Sequence, residues 1–242
     1  QKKYDLAIKE YSKGILLKEI DPEGAAYCYR NRAEQYERLR EYDKALADYD
    51  SVIVLDPENA IRYNGRAWFY SDIKKDYDLA FIDFTKAIEL APDDPINYNA
   101  RADFYKDYSK YDLALTDYAK AIELSSNIYQ TARAINNRAL IYEELGEIKL
   151  AIDEFSKILT STEIKNGIGD FYTSKVFSNR AGDWKLLKFN DSALLDYTKA
   201  IDYDNSNDDK YYDRAWFYYN HKKDYNKSIV DFTRATELDP DG

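Results

Sequence analysis

Six arginines recur along this chain, each with an acid sixteen or seventeen residues after it. The pairs are Arg32 and Asp48, Arg66 and Asp83, Arg101 and Asp117, Arg138 and Glu154, Arg180 and Asp196, and Arg214 and Asp231. A guanidinium presents a planar fork of donors that matches a carboxylate two on two. A row of free arginines could hold an anionic ligand, whereas a row of paired ones ties helices together and fixes their register. Because the acid accompanies the arginine in every copy, the structural role is the expectation. Removing one partner should then strand the other, at a cost of about 3–5 kcal/mol.

Other chemistry has little to work with. His221 is the sole histidine and falls in a predicted turn, where a solvated side chain is expected. Cys28 lies early in a predicted helix with no histidine nearby in sequence, and reads as a small, partly buried residue. One cysteine allows no internal disulfide and no paired-cysteine metal knuckle; it is compatible with a reducing compartment, and the cytoplasm is favoured. No glycine-rich phosphate loop occurs, and the carboxylates follow helix faces rather than metal-ligand spacings. No catalytic residue, cofactor or metal is therefore assigned, and an enzyme is not expected.

The net charge of −10 disfavours a phosphate-backbone partner, which needs a basic stripe. No apolar run approaches the roughly 18 residues of a membrane span, so no membrane segment is expected. The opening "QKKYDLAIKEYSKG" lacks an apolar signal core, starts in mid-pattern and has no Met; it reads as part of a longer chain.

The elements that must carry these pairs repeat too. "YDLAFIDFTKAIELAP" (77–92) returns as "YDLALTDYAKAIELSS" (111–126) and loosely as "DSALLDYTKAIDYDN" (191–205). Small anchor residues fall at Ala7, Ala45, Ala80, Ala114, Ala151, Ala193 and Ser228, spaced 38, 35, 34, 37, 42 and 35 apart. An aromatic stands four residues after each anchor, and a small or aliphatic residue seven after, so all three share one helical face. A second helix precedes each anchor from Ala45 onward. It carries the Arg–Ala pair with an aromatic three residues beyond the Ala: Tyr36, Tyr70, Tyr105, Tyr142, Trp184 and Tyr218. Pro57, Pro92 and Pro240 end second helices, since proline cannot continue one. Residues 66–92 match 214–240 closely, which suggests that a block of four repeats was duplicated.

A helical hairpin of about 34 residues with small and aromatic residues at these offsets resembles the tetratricopeptide repeat (TPR). The resemblance covers essentially the whole chain, with Arg where Leu is common one residue before the first small position. It implies an all-α fold: a right-handed superhelical solenoid of stacked antiparallel helix hairpins. The half repeat would be 3–19 and the six full repeats 24–57, 60–92, 95–126, 131–160, 174–205 and 208–240, all within one solenoid spanning 1–242. The long spacing around "TSTEIKNGIGDFYTSK" (160–175) predicts extended helices flanking a glycine-bearing loop.

By the same resemblance, the first helix of each hairpin lines a concave groove that binds a peptide. The groove candidates are Asn31 and Glu34; Asn64, Trp68 and Asp72; Asn99, Asp103 and Asp107; Asn136, Asn137 and Glu144; Asn179; and Tyr212, Trp216 and Tyr219. The asparagines, one or two residues before the arginines, resemble the ladder of the sugar-transferring TPR enzymes and could pair with an extended backbone. Trp68 and Trp216 share one repeat position and suit a hot spot. Asp72, Asp103, Asp107, Glu143 and Glu144 favour a basic or neutral ligand. They also disfavour the acidic tails gripped by chaperone-binding TPRs, whose clamp positions this chain matches only in part. The expected role is a protein-interaction scaffold or adaptor. Its rival is an architectural or regulatory arm of a larger enzyme or complex, self-associating through open terminal repeats.

Overall fold

A computed structural model describes residues 2–240, and every regular element among them is helical. The helices are α1 (Lys2–Ile15), α2 (Pro22–Arg38), α3 (Tyr42–Leu55), α4 (Ala60–Trp68), α5 (Tyr77–Leu90), α6 (Pro95–Asp107), α7 (Tyr111–Leu124), α8 (Ile128–Glu144), α9 (Ile148–Thr160), α10 (Thr162–Leu186), α11 (Asn190–Tyr203), α12 (Asp208–Phe217) and α13 (Tyr225–Leu238). α4 and α12 each run on into a π-helical segment, Phe69–Lys74 and Tyr218–Lys222.

Local chemistry sets the boundaries. Asp21, Asn59, Asp76, Asp94, Asn127, Ser161 and Asp224 accept from backbone N–H groups in the first turn of the helix that follows each, the usual way to satisfy donors that have no partner within the helix. Pro22 and Pro95 sit at the first helical position, where a missing N–H costs nothing. Each hairpin turn carries one residue with positive φ: Arg40, Lys75, Ser109, Gly146, Lys188 and Lys223.

The chain forms two compact units, Gln1–Tyr108 and Ser109–Gly242. In the first, α1 packs on α2, α2 on α3, α4 on α5, and α5 on α6. In the second, α7 packs on α8, α8 on α9, α9 on α10, α10 on α11, and α12 on α13. Alanine makes these approaches possible: Ala33, Ala45, Ala67, Ala80 and Ala102 in the first unit are completely buried, as are Ala114, Ala139, Ala151, Ala181, Ala193 and Ala215 in the second. Aromatic residues fill the space beyond them. Tyr49 packs on Phe69, Phe84 on Phe104, and Tyr197 on Phe217, with ring centroids 5.1–5.5 Å apart.

Around 160–175 the expected glycine-bearing loop contracts to one residue. α10 is two helical stretches that meet at Gly169, whose φ of 75° and ψ of 167° lie outside the helical region. Two residues earlier, Gly167 has no room for a side chain, since a Cβ there would come within 2.7 Å of Ile128 on α8. The 42-residue spacing is absorbed as extra helix, bent at one residue.

Candidate functional site

Arg32, Arg66, Arg180 and Arg214 are each held at three points. Arg32 donates from Nε and Nη2 to the two carboxylate oxygens of Asp48 at 2.8 and 2.7 Å, and from Nη1 to Ser12 Oγ at 2.9 Å. Arg66 does the same to Asp83, with Asp50 as its third acceptor at 2.6 Å. In the second unit Arg180 forks onto Asp196 with Ser156 as third partner, and Arg214 forks onto Asp231 with Thr198. Arg138 reaches Glu154 Oε2 with two nitrogens, at 3.1 and 2.6 Å. Arg101 donates to Thr85 at 3.3 Å.

The acids at 48, 83, 117, 154, 196 and 231 are all buried, and the guanidiniums half-buried. Each fork joins the two helices of one hairpin, and the third donor reaches the preceding second helix. That third acceptor was not singled out in the sequence, although its signal is there. Ser12, Asp50, Thr85, Ser156 and Thr198 all stand five residues after the small anchor; Ala119 takes that place ahead of Arg138, whose two donating nitrogens both go to Glu154. With their donors engaged, these arginines do not form a row of free cations.

The groove candidates separate by depth. Asp72, Asp107, Glu144, Tyr212, Trp216 and Tyr219 are exposed; Asn31, Glu34, Trp68, Asn137 and Asn179 are half-buried; Asn64, Asn99, Asn136 and Asp103 are buried. The asparagines thus do not make one open row. Those two residues before an arginine face inward, and those one residue before it lie nearer the surface. Asn64 Nδ2 donates to Asn97 Oδ1 at 2.7 Å, and Asn97 in turn donates to the carbonyls of Ala87 and Ala91. Asn31 donates to the Tyr27 carbonyl of its own helix. Asn179 donates to Asn136 Oδ1 at 3.5 Å. Both side-chain polar atoms of Asn99 are buried without a partner among the described residues.

The two tryptophans differ likewise. Trp68 is half-buried, edge-on to Phe84 at 5.0 Å. Trp216 is 42% exposed and sits among Tyr212, Tyr219 and Phe232, with ring centroids 5.4–6.1 Å away. The acidic positions also feel their burial. In the first unit, desolvation raises the Asp107 carboxyl above its usual range, with Asp103 and Asp72 adding repulsion. In the second, burial pushes Glu143 up to about 7, with Glu144 adding to the shift. His221 is exposed and stacks on Phe217 at 5.1 Å, and Cys28 is a half-buried free thiol. Among the described residues no group of three or more His, Cys, Asp or Glu is placed to hold a metal ion, and no helix is long and apolar enough to cross a membrane.

Tetratricopeptide-repeat family profiles match residues 26–59, 62–94, 100–165 and 211–241. The chain is a tetratricopeptide-repeat protein. TPR arrays are protein-interaction scaffolds, and the all-helical repeat fold points to a non-catalytic protein. The small glutamine-rich tetratricopeptide repeat-containing protein 2 of Saccharomyces cerevisiae is 43% identical over 56 residues, which is 23% of this chain and 15% of the yeast protein. The match therefore spans a small part of that relative. Among solved structures, the type IV pilus biogenesis factor PilW superposes with a TM-score of 0.68 at 16% identity, covering 90% of this chain and 93% of PilW. PilF of Pseudomonas aeruginosa gives 0.65 at 15%, covering 90% and 93%. The C-terminal part of a TPR protein from Cytophaga hutchinsonii gives 0.66 at 17%, covering 100% and 96%. At these identities the likeness concerns the TPR fold alone.

Proposed function

We propose that this TPR protein is a scaffold or adaptor whose first helices hold a peptide segment of a partner protein. The observation that carries the reading is the aromatic patch on α12. Trp216, Tyr212 and Tyr219 are each 42–49% exposed and stack edge-on among themselves, so their ring positions are already ordered before any partner arrives. Large aromatics of this kind supply contact area at low entropic cost. The exposed acids Asp72 and Asp107 in the first unit and Glu144 in the second favour a basic or neutral segment.

Affinity capture from a lysate with wild type and with the Trp68→Ala/Trp216→Ala double variant tests this. The expected outcome is loss of specific partners from the variant. Full retention would favour the architectural arm instead, a role for which the exposed Leu6, Leu16, Leu17 and Ile20 near α1 and Ile229 and Val230 on α13 speak.

A further inference from the structure

The third residue after the repeat arginine is buried in five of the six hairpins; in the first it is Gln35, half-buried and donating to the Asn31 carbonyl of its own helix. Phe69, Phe104, Ile141 and Phe217 occupy it in four hairpins, each at most 2% exposed. In the fifth hairpin the position holds Asp183, which is just as deep at 2%. Its Oδ2 is buried with no hydrogen-bond partner among the described residues. A carboxylate in a place shaped for a phenyl ring is a standing cost unless something pairs with it.

The neighbouring position changes in the opposite sense. Where the other hairpins carry Glu34, Trp68, Asp103, Leu140 or Trp216, the fifth carries Gly182. Gly182 is half-buried, yet a Cβ built on it would meet none of the described residues within 4 Å. One turn earlier on the same face, Ser178 Oγ is a second buried polar atom with no partner. α8 packs alongside α10. There Asn136 meets Asn179, and beyond them Glu143 places a second, half-buried carboxyl in the electrostatic field of Asp183. Hairpin five thus leaves out one side chain, buries an acid beside the gap, and receives another acid from the adjoining first helix.

We propose that Gly182, Asp183 and Glu143 form a receptor for one cationic side chain, arginine or lysine, projecting from the bound segment. The inference rests on the peptide-binding reading above and assigns it a specific anchor. A guanidinium entering over Gly182 supplies several N–H donors, enough to satisfy Asp183 Oδ2 and Glu143 together; charge-assisted pairs of this kind are the strong ones. Without a cation the two acids hold a proton instead: burial, with the charge of Glu143 added at Asp183 and that of Glu144 added at Glu143, pushes both up to about 7. Glu144 adds negative charge from α8. Lys185, further along α10, exerts its charge on Asp213 and His221 towards α12. Cation binding therefore expels a proton, and affinity rises with pH through neutrality.

The test is a carboxyl-carbon NMR titration of the whole chain with three blocked pentapeptides, Ala-Ala-X-Ala-Ala, where X is arginine, lysine or the neutral isostere citrulline. At pH 8 the arginine or lysine peptide should bind at least tenfold more tightly than the citrulline peptide and lower the Asp183 midpoint by at least one pH unit. That preference should vanish in Asp183→Phe, which restores the residue type of neighbouring hairpins, and shrink in Glu143→Gln. Equal binding of charged and citrulline peptides overturns the proposal while leaving the peptide-binding reading in place. So does a cation preference that survives Asp183→Phe. Binding of none of the three peptides to wild type overturns it too, and the Trp68→Ala/Trp216→Ala capture experiment then decides separately whether partners bind elsewhere on the first helices.

Discussion

The fifth and sixth hairpins share a frame and differ in what they put inside it. In both, the arginine forks onto an aspartate at 2.8–3.0 Å and reaches a hydroxyl on the preceding second helix. The sixth has one residue more between arginine and acid, seventeen against sixteen, and the extra residue appears as the π-helical turn Tyr218–Lys222. The second hairpin, also seventeen, carries a π turn at the matching place, Phe69–Lys74. An insertion is thus looped out within the first helix while the ion pair keeps its geometry. Three residues after the arginine the hairpins part: the sixth buries Phe217 against Tyr197 and His221, and the fifth buries Asp183, whose Oδ2 has no hydrogen-bond partner among the described residues. The frame is conserved in geometry, and the filling is free to vary.

Transplanting that difference should have the largest effect. Phe217→Asp removes a ring stacked between two others and leaves a carboxyl in its place. It should cost about 4 kcal/mol, the range for deleting a buried aromatic, read as a lowered midpoint in chemical denaturation. A change below about 1 kcal/mol would show that this position is not the core site the comparison makes it.

The frame itself comes next. Arg180→Ala and Arg214→Ala each strand a buried aspartate, Asp196 or Asp231, and should each cost about 3 kcal/mol. The Arg180→Ala/Asp196→Ala double variant should recover much of that loss, because the larger part of the single-variant cost is the orphaned charge. If the double variant is as unstable as the sum of the singles, the pair is not coupled as the distances imply.

Running the exchange the other way, Asp183→Phe should stabilise, and the gain should depend on pH. Burial and Glu143 raise the Asp183 carboxyl from 3.8 to about 7 in the folded chain. Between those values the folded state keeps a proton that the unfolded state has released, so wild-type stability falls as pH rises through the window. Asp183→Phe lacks this slope. Its advantage should be smallest near pH 4 and grow steadily up to about pH 8, measured as paired denaturation midpoints.

Much of this was legible in the sequence because repetition makes an offset visible. The alanines, the aromatics and the arginine–acid spacings identify two helices per copy and the faces they bury. The numbers sixteen and seventeen stand in the sequence as well, but only backbone hydrogen bonding says that the extra residue becomes a π turn rather than a longer loop. Depth was harder to read. Asn64, Asn99 and Asn136 differ from Asn31, Asn137 and Asn179 by one position, about 100° around the helix, and that step separates a buried amide from one near the surface. Asp183 escaped notice because the groove positions carried over from the family skip the third residue after the arginine. Aligning the copies at that position sets one acid among Gln35, Phe69, Phe104, Ile141 and Phe217.

The smallest effect tests what the two hairpins share. Their turns end on Lys188 and Lys223, with φ of 63° and 55°, in the left-handed region that a Cβ disfavours. Both lysines are exposed, and the fourth hairpin uses Gly146 at the same step, with φ of 75°. Lys188→Gly and Lys223→Gly should each relieve the strain, offset in part by the greater freedom glycine adds to the unfolded chain, for a net gain of about 0.5 kcal/mol. The π turn enters the same left-handed residue from a different helical geometry. Equal gains at both sites would show that the turn is set by the hairpin frame alone, whereas a gain confined to Lys188 would show that the π segment relieves its own turn.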